Sequence, residues 1–193
     1  DYGPLLLAPA YREPDAEIGY LTRYSPGSRE NGGLYTHAGL WAIQAECKLG
    51  RGRQAWRLYR SFCPVLRGRQ PDFYKVEPYV MPGNVDGPES PNFGRGGWTW
   101  YTGSAAWTFR VATEWLLGVR PTYDGLRVRP CLPPEWKGFD MKRTFRGCVY
   151  RIRVRRGPGR PGLRVDGRPQ TGELVPDFRD GREHAVEVRL PRS

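Results

Sequence analysis

The chain has 193 residues, 38% of them hydrophobic and 13% aromatic, with a formal net charge of +11. That length suffices for one core or one and a half, and no apolar run is long enough to cross a bilayer. Four lysines against 27 arginines, spread along the whole chain without a helix-turn-helix, zinc-finger or RNA-binding signature, argue against a nucleic-acid partner. The chain starts Asp-Tyr-Gly with no visible signal segment, and the expectation is a piece of a larger protein.

In chain order, the first marked segment is Pro26-Gly27-Ser28-Arg29-Glu30-Asn31-Gly32-Gly33, leading into Leu34-Tyr35-Thr36-His37-Ala38. Its glycines allow a tight turn and a close approach of backbone to a ligand. They place His37, one of two histidines, at the start of a helix, and an imidazole as a residue type can donate to phosphate. A lone histidine there is more often a structural hydrogen-bonder; the flanking glycines tip the balance toward a site. A helix is expected over Thr36–Leu49, with Ala38, Trp41, Ala42, Ala45 and Leu49 at helical spacing and Gly50 ending it. A second helix is expected over Arg53–Phe62, stopping before Pro64, and the short Gly50-Arg51-Gly52 link favours antiparallel neighbours. Residues 64–101, rich in Pro, Gly, Asn and Asp, read as one long loop, a length that usually serves function.

The run Arg95–Trp107 sets Trp98, Trp100 and Trp107 around Tyr101-Thr102-Gly103-Ser104, which opens a third helix expected over Ser104–Leu117 and capped by Gly118. Free N–H groups and hydroxyls at such a helix start favour an anion, and aromatic faces beside it suit a sugar ring. The competing reading makes the tryptophans core and Thr102 or Ser104 an ordinary cap. Beyond Gly118 the texture turns to short β-prone segments, 126–130, 141–145, 148–155, 163–165 and 185–190, separated by turn residues. Arg151, Arg153 and Arg155 share one strand face with Ile152 and Val154 on the other, as in a solvated strand. His184 lies in a charged stretch near the end. Cys47, Cys63, Cys131 and Cys148 show no paired spacing, which suggests neither a zinc site nor a disulfide framework, and a reduced, cytoplasmic protein is expected.

Three segments carry a resemblance: GYLTRYSPGSRENGGLYTHAGLWAIQAECKLG (19–50), YKVEPYVMPGNVDGPESPNFGRGGWTWYTGSAAW (74–107) and LLGVRPTYDGLRVRPCLPPEWKGF (116–139). Together they resemble the C-terminal part of the inverting β-glucoside phosphorylases of glycoside hydrolase family 94 (formerly glycosyltransferase family 36). That family holds the cellobiose, chitobiose and cellobionic-acid phosphorylases and the phosphorylase module of cyclic β-1,2-glucan synthases. The resemblance implies mixed α and β in separate parts. Residues 1–118 would be the C-terminal portion of an (α/α)6 barrel, and 119–193 a small antiparallel β-sandwich. It implies transfer of a β-glucosyl unit to inorganic phosphate as co-substrate, giving α-glucose 1-phosphate with inversion and without metal or other cofactor. It further implies a β-linked disaccharide or oligosaccharide as the other substrate, no nucleic acid or membrane, and a homodimer for the full-length enzyme.

By the same resemblance His37, Thr102 and Gly103 bind phosphate, and Glu30, Glu77 and Tyr79 bind the sugar substrate. The general acid is an aspartate expected upstream of the matched segments, so no residue here is assigned as catalytic. Glu30 has a competing role in an ion pair with Arg29, and Met81-Pro82 stands where related enzymes often carry a polar residue. The alternatives are the glucan synthase module, an inverting glycoside hydrolase with a carboxylate base, and a basic binding module without chemistry. Contacts between the sheet and the helical part are expected through Leu126, Val128, Trp136 and Phe139.

Overall fold

The computed structural model describes residues 3–192. The chain forms two compact units, Asp1–Leu49 with Gln54–Val111, and Gly50–Arg53 with Ala112–Ser193.

The first unit is helical around a small sheet. A 3-10 turn at Tyr20–Arg23 precedes β1 (Leu34–Tyr35), which runs without a break into α1 (Thr36–Lys48). Helices α2 (Gly52–Phe62), α3 (Pro64–Arg67) and α4 (Pro71–Tyr74) follow, then β2 (Asn84–Val85), β3 (Gly96–Gly97) and α5 (Thr102–Arg110). Strands β1, β2 and β3 form one antiparallel sheet with Tyr35 opposite Asn84 and Asn84 opposite Gly97. The segment read as a single loop over 64–101 therefore holds two one-turn helices and two strands of two residues. The helices each start at proline, whose fixed φ suits a first turn, and strands this short leave no periodic pattern to read.

α1 corrects the expected buried face. Thr36, Gly39, Leu40, Ile43 and Cys47 are buried, while Trp41 is 52% exposed and Leu49 63% exposed. Both stripes have helical spacing, and only packing chooses between them. Gly39 is on the buried stripe because a Cβ there would lie 2.1 Å from Cζ of Phe62, the last residue of α2, which is itself buried. Gly39→Ala gains about 1 kcal/mol of helix propensity but overpacks this contact by about 1–3 kcal/mol. The variant is expected to lower the urea midpoint, and an unchanged midpoint would show that the Phe62 ring yields freely.

The third helix also departs from expectation. It starts two residues earlier, at Thr102, and beyond Arg110 the chain winds as a π-helix over Val111–Leu116. Carbonyls at its end are taken from outside the helix: Cys131 N–H donates to Leu116 O (2.9 Å) and Arg129 N–H to Gly118 O (2.9 Å).

The second unit is a two-sheet sandwich. Its strands are β4 (Val119–Thr122), β5 (Gly125–Val128), β6 (Gly138–Phe145), β7 (Cys148–Arg156), β8 (Gly162–Val165), β9 (Arg168–Gln170), β10 (Leu174–Pro176) and β11 (Glu183–Leu190). One sheet runs β10-β5-β4 and the other β6-β7-β11-β8-β9. Leu126, Val128 and Val175 of the first meet Tyr150, Ile152, Val154, Leu163, Val165 and Val186 of the second in one buried cluster, with Trp136 and Phe139 packed against it. Of the residues Leu126, Val128, Trp136 and Phe139, the first two belong to this unit's own core and the last two pack against it. β7 alternates as expected, with Tyr150, Ile152 and Val154 buried and Arg151, Arg153 and Arg155 exposed.

Three sequence expectations change here. The larger sheet is mixed, because β11 lies parallel to β7 and antiparallel to β8: the chain leaves a slot between β7 and β8 that its last strand fills. Strands β4, β9 and β10 were not expected, and each contains a proline (Pro121, Pro169, Pro176). All three lie at sheet edges, where a missing N–H costs nothing to the ladder. His184, read as part of a charged stretch, is buried at the start of β11.

Candidate functional site

Two helices that begin with the same dipeptide stand together in the first unit. Tyr35-Thr36 opens α1 and Tyr101-Thr102 opens α5, and in both the N-cap residue is tyrosine with no side-chain cap. The strand β1 aims the first of these helix starts. Thr36 N–H donates to Gly83 O (3.0 Å), and Tyr101 N–H donates to Met81 O (3.1 Å), so the 81–83 segment ties the two helix N-termini to one backbone. The Tyr35 and Tyr101 side chains are hydrogen-bonded, and burial first, then that bond and the nearby Glu30 carboxylate, push the Tyr35 phenol above its ordinary pKa. The His37 ring lies 5.2 Å from that of Trp107 on α5 and 5.0 Å from that of Trp41.

The polar atoms around these helix starts are covered yet unpaired. Thr36 Oγ1, His37 Nε2 and Ser104 Oγ are shielded from solvent and have no hydrogen-bond partner, as are Glu30 Oε2 and Arg29 Nε. Neither Thr102 nor Ser104 caps α5, so the reading of this turn as an ordinary cap does not hold. Thr102 and Gly103 are exposed. A helix start without a cap keeps N–H donors and the positive end of the dipole open to an anion, and buried polar groups without partners are uncommon enough to call for a ligand.

The 27–33 turn sets Glu30 beside this region. Asn31 anchors the turn: its Nδ2 donates to Tyr11 O (2.9 Å) and Tyr24 O (2.7 Å), and its Oδ1 accepts from Tyr11 N–H (2.7 Å). Gly87 packs directly on the turn, since a Cβ there would lie 1.9 Å from Gly32 O. Arg29 adopts φ 51°, and its guanidinium sits 3.5 Å from the Trp98 ring centre and 4.3 Å from that of Tyr24. The Arg29–Glu30 ion pair is present but long, 3.8 Å, which leaves Glu30 Oε2 free to accept. Glu77 and Tyr79 form a second group around Trp100: the indole N–H donates to Glu77 Oε1 (3.0 Å) and the Tyr79 ring meets Trp100 edge-on at 6.0 Å. Tyr79 is 73% exposed and Trp100 63%.

Sequence reasoning gave no site role to Tyr35, Thr36 or Tyr101 and took Arg29 only as an ion-pair partner of Glu30. The repeated Tyr-Thr at two helix starts was the signal available for the first three. Asp86, also passed over, is a buried carboxyl pushed above its ordinary pKa by burial. Its oxygens are engaged by Ser90 Oγ (3.2 Å) and Asn84 Nδ2 (3.3 Å) with Arg95 at 3.9 Å, so it holds the 84–95 loop. Among the described residues the group able to hold a metal ion is Cys148, Asp180 and His184, in the second unit. No helix among them is long and apolar enough to cross a membrane.

Comparison with known proteins places these features in context. The model of the glycosyl hydrolase 94 superfamily catalytic domain matches residues 1–118, and that of the glycosyl hydrolase family 65 C-terminal domain matches 119–158. The chain is 40% identical over 193 residues to a solabiose phosphorylase of Paenibacillus borealis, covering 98% of this chain and 25% of that protein. It is 43% identical over 154 residues to a cyclic beta-(1,2)-glucan synthase of Rhizobium meliloti, covering 78% of this chain and 5% of that protein. An N,N'-diacetylchitobiose phosphorylase of Vibrio proteolyticus is 33% identical over 191 residues, 97% of this chain and 24% of that protein. The chain spans about a quarter of the length of the phosphorylases it matches.

Proposed function

We propose a function on the premise that this chain belongs to the glycosyl hydrolase 94 superfamily: it supplies the phosphate site and part of the sugar-donor site of an inverting glycoside phosphorylase. The observation that carries the proposal is the pair of uncapped helix starts with covered, unpaired Thr36 Oγ1, His37 Nε2 and Ser104 Oγ.

In this reading His37 Nε2–H, the Thr102 hydroxyl and the Gly103 N–H donate to inorganic phosphate. Glu30 Oε2 accepts from hydroxyls of the β-glucosyl unit, and the Glu77, Tyr79 and Trp100 group offers further sugar contacts. A phosphate oxygen attacks the anomeric carbon from the face opposite the leaving group. The carbon–phosphate oxygen bond forms as the glycosidic bond breaks, and an aspartic acid outside these residues protonates the departing oxygen. The product is α-glucose 1-phosphate. An inverting hydrolase needs a second carboxylate to activate water; phosphate arrives already anionic, so this reaction requires neither that base nor a metal. The first unit, with Trp41, Trp98, Trp100 and Phe109 substantially exposed, is assigned to the last part of an (α/α)6 barrel spanning 1–118, and 119–193 to the β domain that follows it. The full-length protein is assigned as a cytoplasmic homodimer acting on a β-linked disaccharide or oligosaccharide, with no nucleic acid or membrane partner.

The similarity to the glucan synthase favours one second reading, the same phosphate site within a much larger synthase. The test for both is the full-length protein carrying this sequence, assayed with β-linked glucosides and phosphate. Glucose 1-phosphate is the expected product; phosphate-independent release of free sugar would establish a hydrolase instead.

A further inference from the structure

The second unit holds a polar cluster that the proposed phosphorylase chemistry does not use. Cys148 at the start of β7, Asp180 in the loop before β11 and His184 at the start of β11 bring Sγ, a carboxylate oxygen and a ring nitrogen within 4.8 Å of one another. Cys148 is fully buried and His184 is 5% exposed, in a unit whose core is otherwise aliphatic and aromatic. Asp180 is the partly open member, its side chain 35% exposed.

The geometry points to a mononuclear site for a borderline-soft divalent cation of the Zn(II) class, with Cys148 Sγ, Asp180 Oδ1 and His184 Nε2 as ligands. Two edges of the ligand triangle are set by direct contacts: Asp180 Oδ1 lies 3.1 Å from His184 Nε2 and 3.4 Å from Cys148 Sγ. Tetrahedral zinc with its usual bond lengths places an oxygen and a nitrogen ligand about 3.3 Å apart, and an oxygen and a sulfur ligand about 3.5 Å apart. The observed edges match both to within a few tenths of an ångström, and the third, between the His184 ring nitrogen and Cys148 Sγ, is at most 4.8 Å.

The surroundings are those of an oriented ligand set. Asp166 Oδ2 contacts His184 Nδ1 at 2.8 Å, the carboxylate–histidine arrangement that fixes a ligating ring's tautomer and leaves Nε2 for the metal. Asp166 is itself held by Ala185 N–H (2.8 Å to Oδ1). The Phe178 ring stacks on the imidazole at 4.0 Å and 17°, and Arg182 N–H donates to Asp180 Oδ1 (2.9 Å). Thiolate, imidazole and carboxylate together select zinc or cobalt over magnesium and calcium, which prefer all-oxygen shells. Three protein ligands leave a fourth position for water, and the partly exposed Asp180 gives the ion its way in. On ligation Cys148 gives up its thiol proton. Because the ligands pin the loop before β11 to β7, the site ties the last strand into its slot.

The test uses the chain stripped with a chelator and titrated with Co(II), then Zn(II). One equivalent of Co(II) is expected to give a thiolate-to-metal charge-transfer band and strong tetrahedral ligand-field bands, displaced by Zn(II). Saturating Zn(II) is expected to raise the melting temperature. Cys148→Ser is expected to abolish the charge-transfer band, Cys63→Ser to leave it intact, and Asp166→Asn to weaken affinity about 10- to 100-fold. Failure of the folded wild-type chain to give the band, or a band that survives Cys148→Ser, would overturn the proposal; the wild-type titration decides even where a variant does not fold. None of these readouts depends on phosphorolysis, so the site and the phosphorylase reading stand or fall separately.

Discussion

Incubated with cellobiose and phosphate, the isolated 193-residue chain is expected to release no glucose 1-phosphate. Phosphorolysis dispenses with a general base but not with an acid, because the departing alkoxide must be protonated as the glycosidic bond breaks. None of the carboxylates near the proposed site is placed for that work. Glu30, proposed above to hold the sugar, lies 3.8 Å from the Arg29 guanidinium; Glu77 accepts from the Trp100 indole. Asp86 is committed to Ser90 and Asn84. Loss of a general acid costs about 10²–10⁴ in rate, and a chain spanning a quarter of its phosphorylase relatives also lacks much of the substrate positioning, worth several further orders of magnitude. Coupled assay of glucose 1-phosphate measures this directly. Turnover by the chain alone would mean that an acid lies within it and that the role given to Glu30 is wrong.

In the full-length protein, His37→Ala is expected to weaken phosphate use while sparing the fold. The substitution removes one charge-assisted hydrogen bond, worth about 1.5–3 kcal/mol, equivalent to about 10- to 150-fold in kcat/KM for phosphate. His37 is only partly buried and its Nε2 has no partner within the protein, so truncation breaks no internal hydrogen bond at that atom. Its ring contacts with Trp41 and Trp107 are edge or tilted packings whose loss is modest beside a core deletion. Steady-state kinetics with phosphate varied, alongside a thermal melt, separates the two effects. An unchanged phosphate dependence with a lowered melting temperature would reassign His37 to structure.

Much of this molecule was legible as sequence where local chemistry decides. Helix α1 ends one residue before its expected limit, β7 alternates as its arginines and branched residues dictate, and the Asp166-Gly167 turn carries two positive φ values, as a two-residue hairpin needs. The helix starts at the His37 motif and at the Tyr-Thr-Gly-Ser turn were legible too, the second to within two residues, because glycine and small polar residues mark where a helix begins. The misreadings arose where two local answers were equally good. α1 carries two stripes at helical spacing, and the stripe through Trp41 lost to the one through Leu40 and Ile43 because Phe62 packs against Gly39. Edge strands β4, β9 and β10 were hidden by their prolines, whose cost vanishes only once the strand is known to lie at an edge.

By itself, then, the sequence determined the helical-then-β order, the hairpin turns, the alternation of the long strands and the residue types at the proposed anion site, since each depends on a residue and its near neighbours. Tertiary structure alone decided the rest. It placed β11 parallel to β7 in the slot beside β8, a choice that depends on the space earlier strands leave. It set the helix starts at Tyr35 and Tyr101 side by side, leaving Thr36, His37 and Ser104 covered and unpaired. And it brought Cys148, Asp180 and His184 to one point. The distances between residues far apart in the chain are fixed by which surfaces bury one another, and that packing has no period or spacing to be read along the sequence.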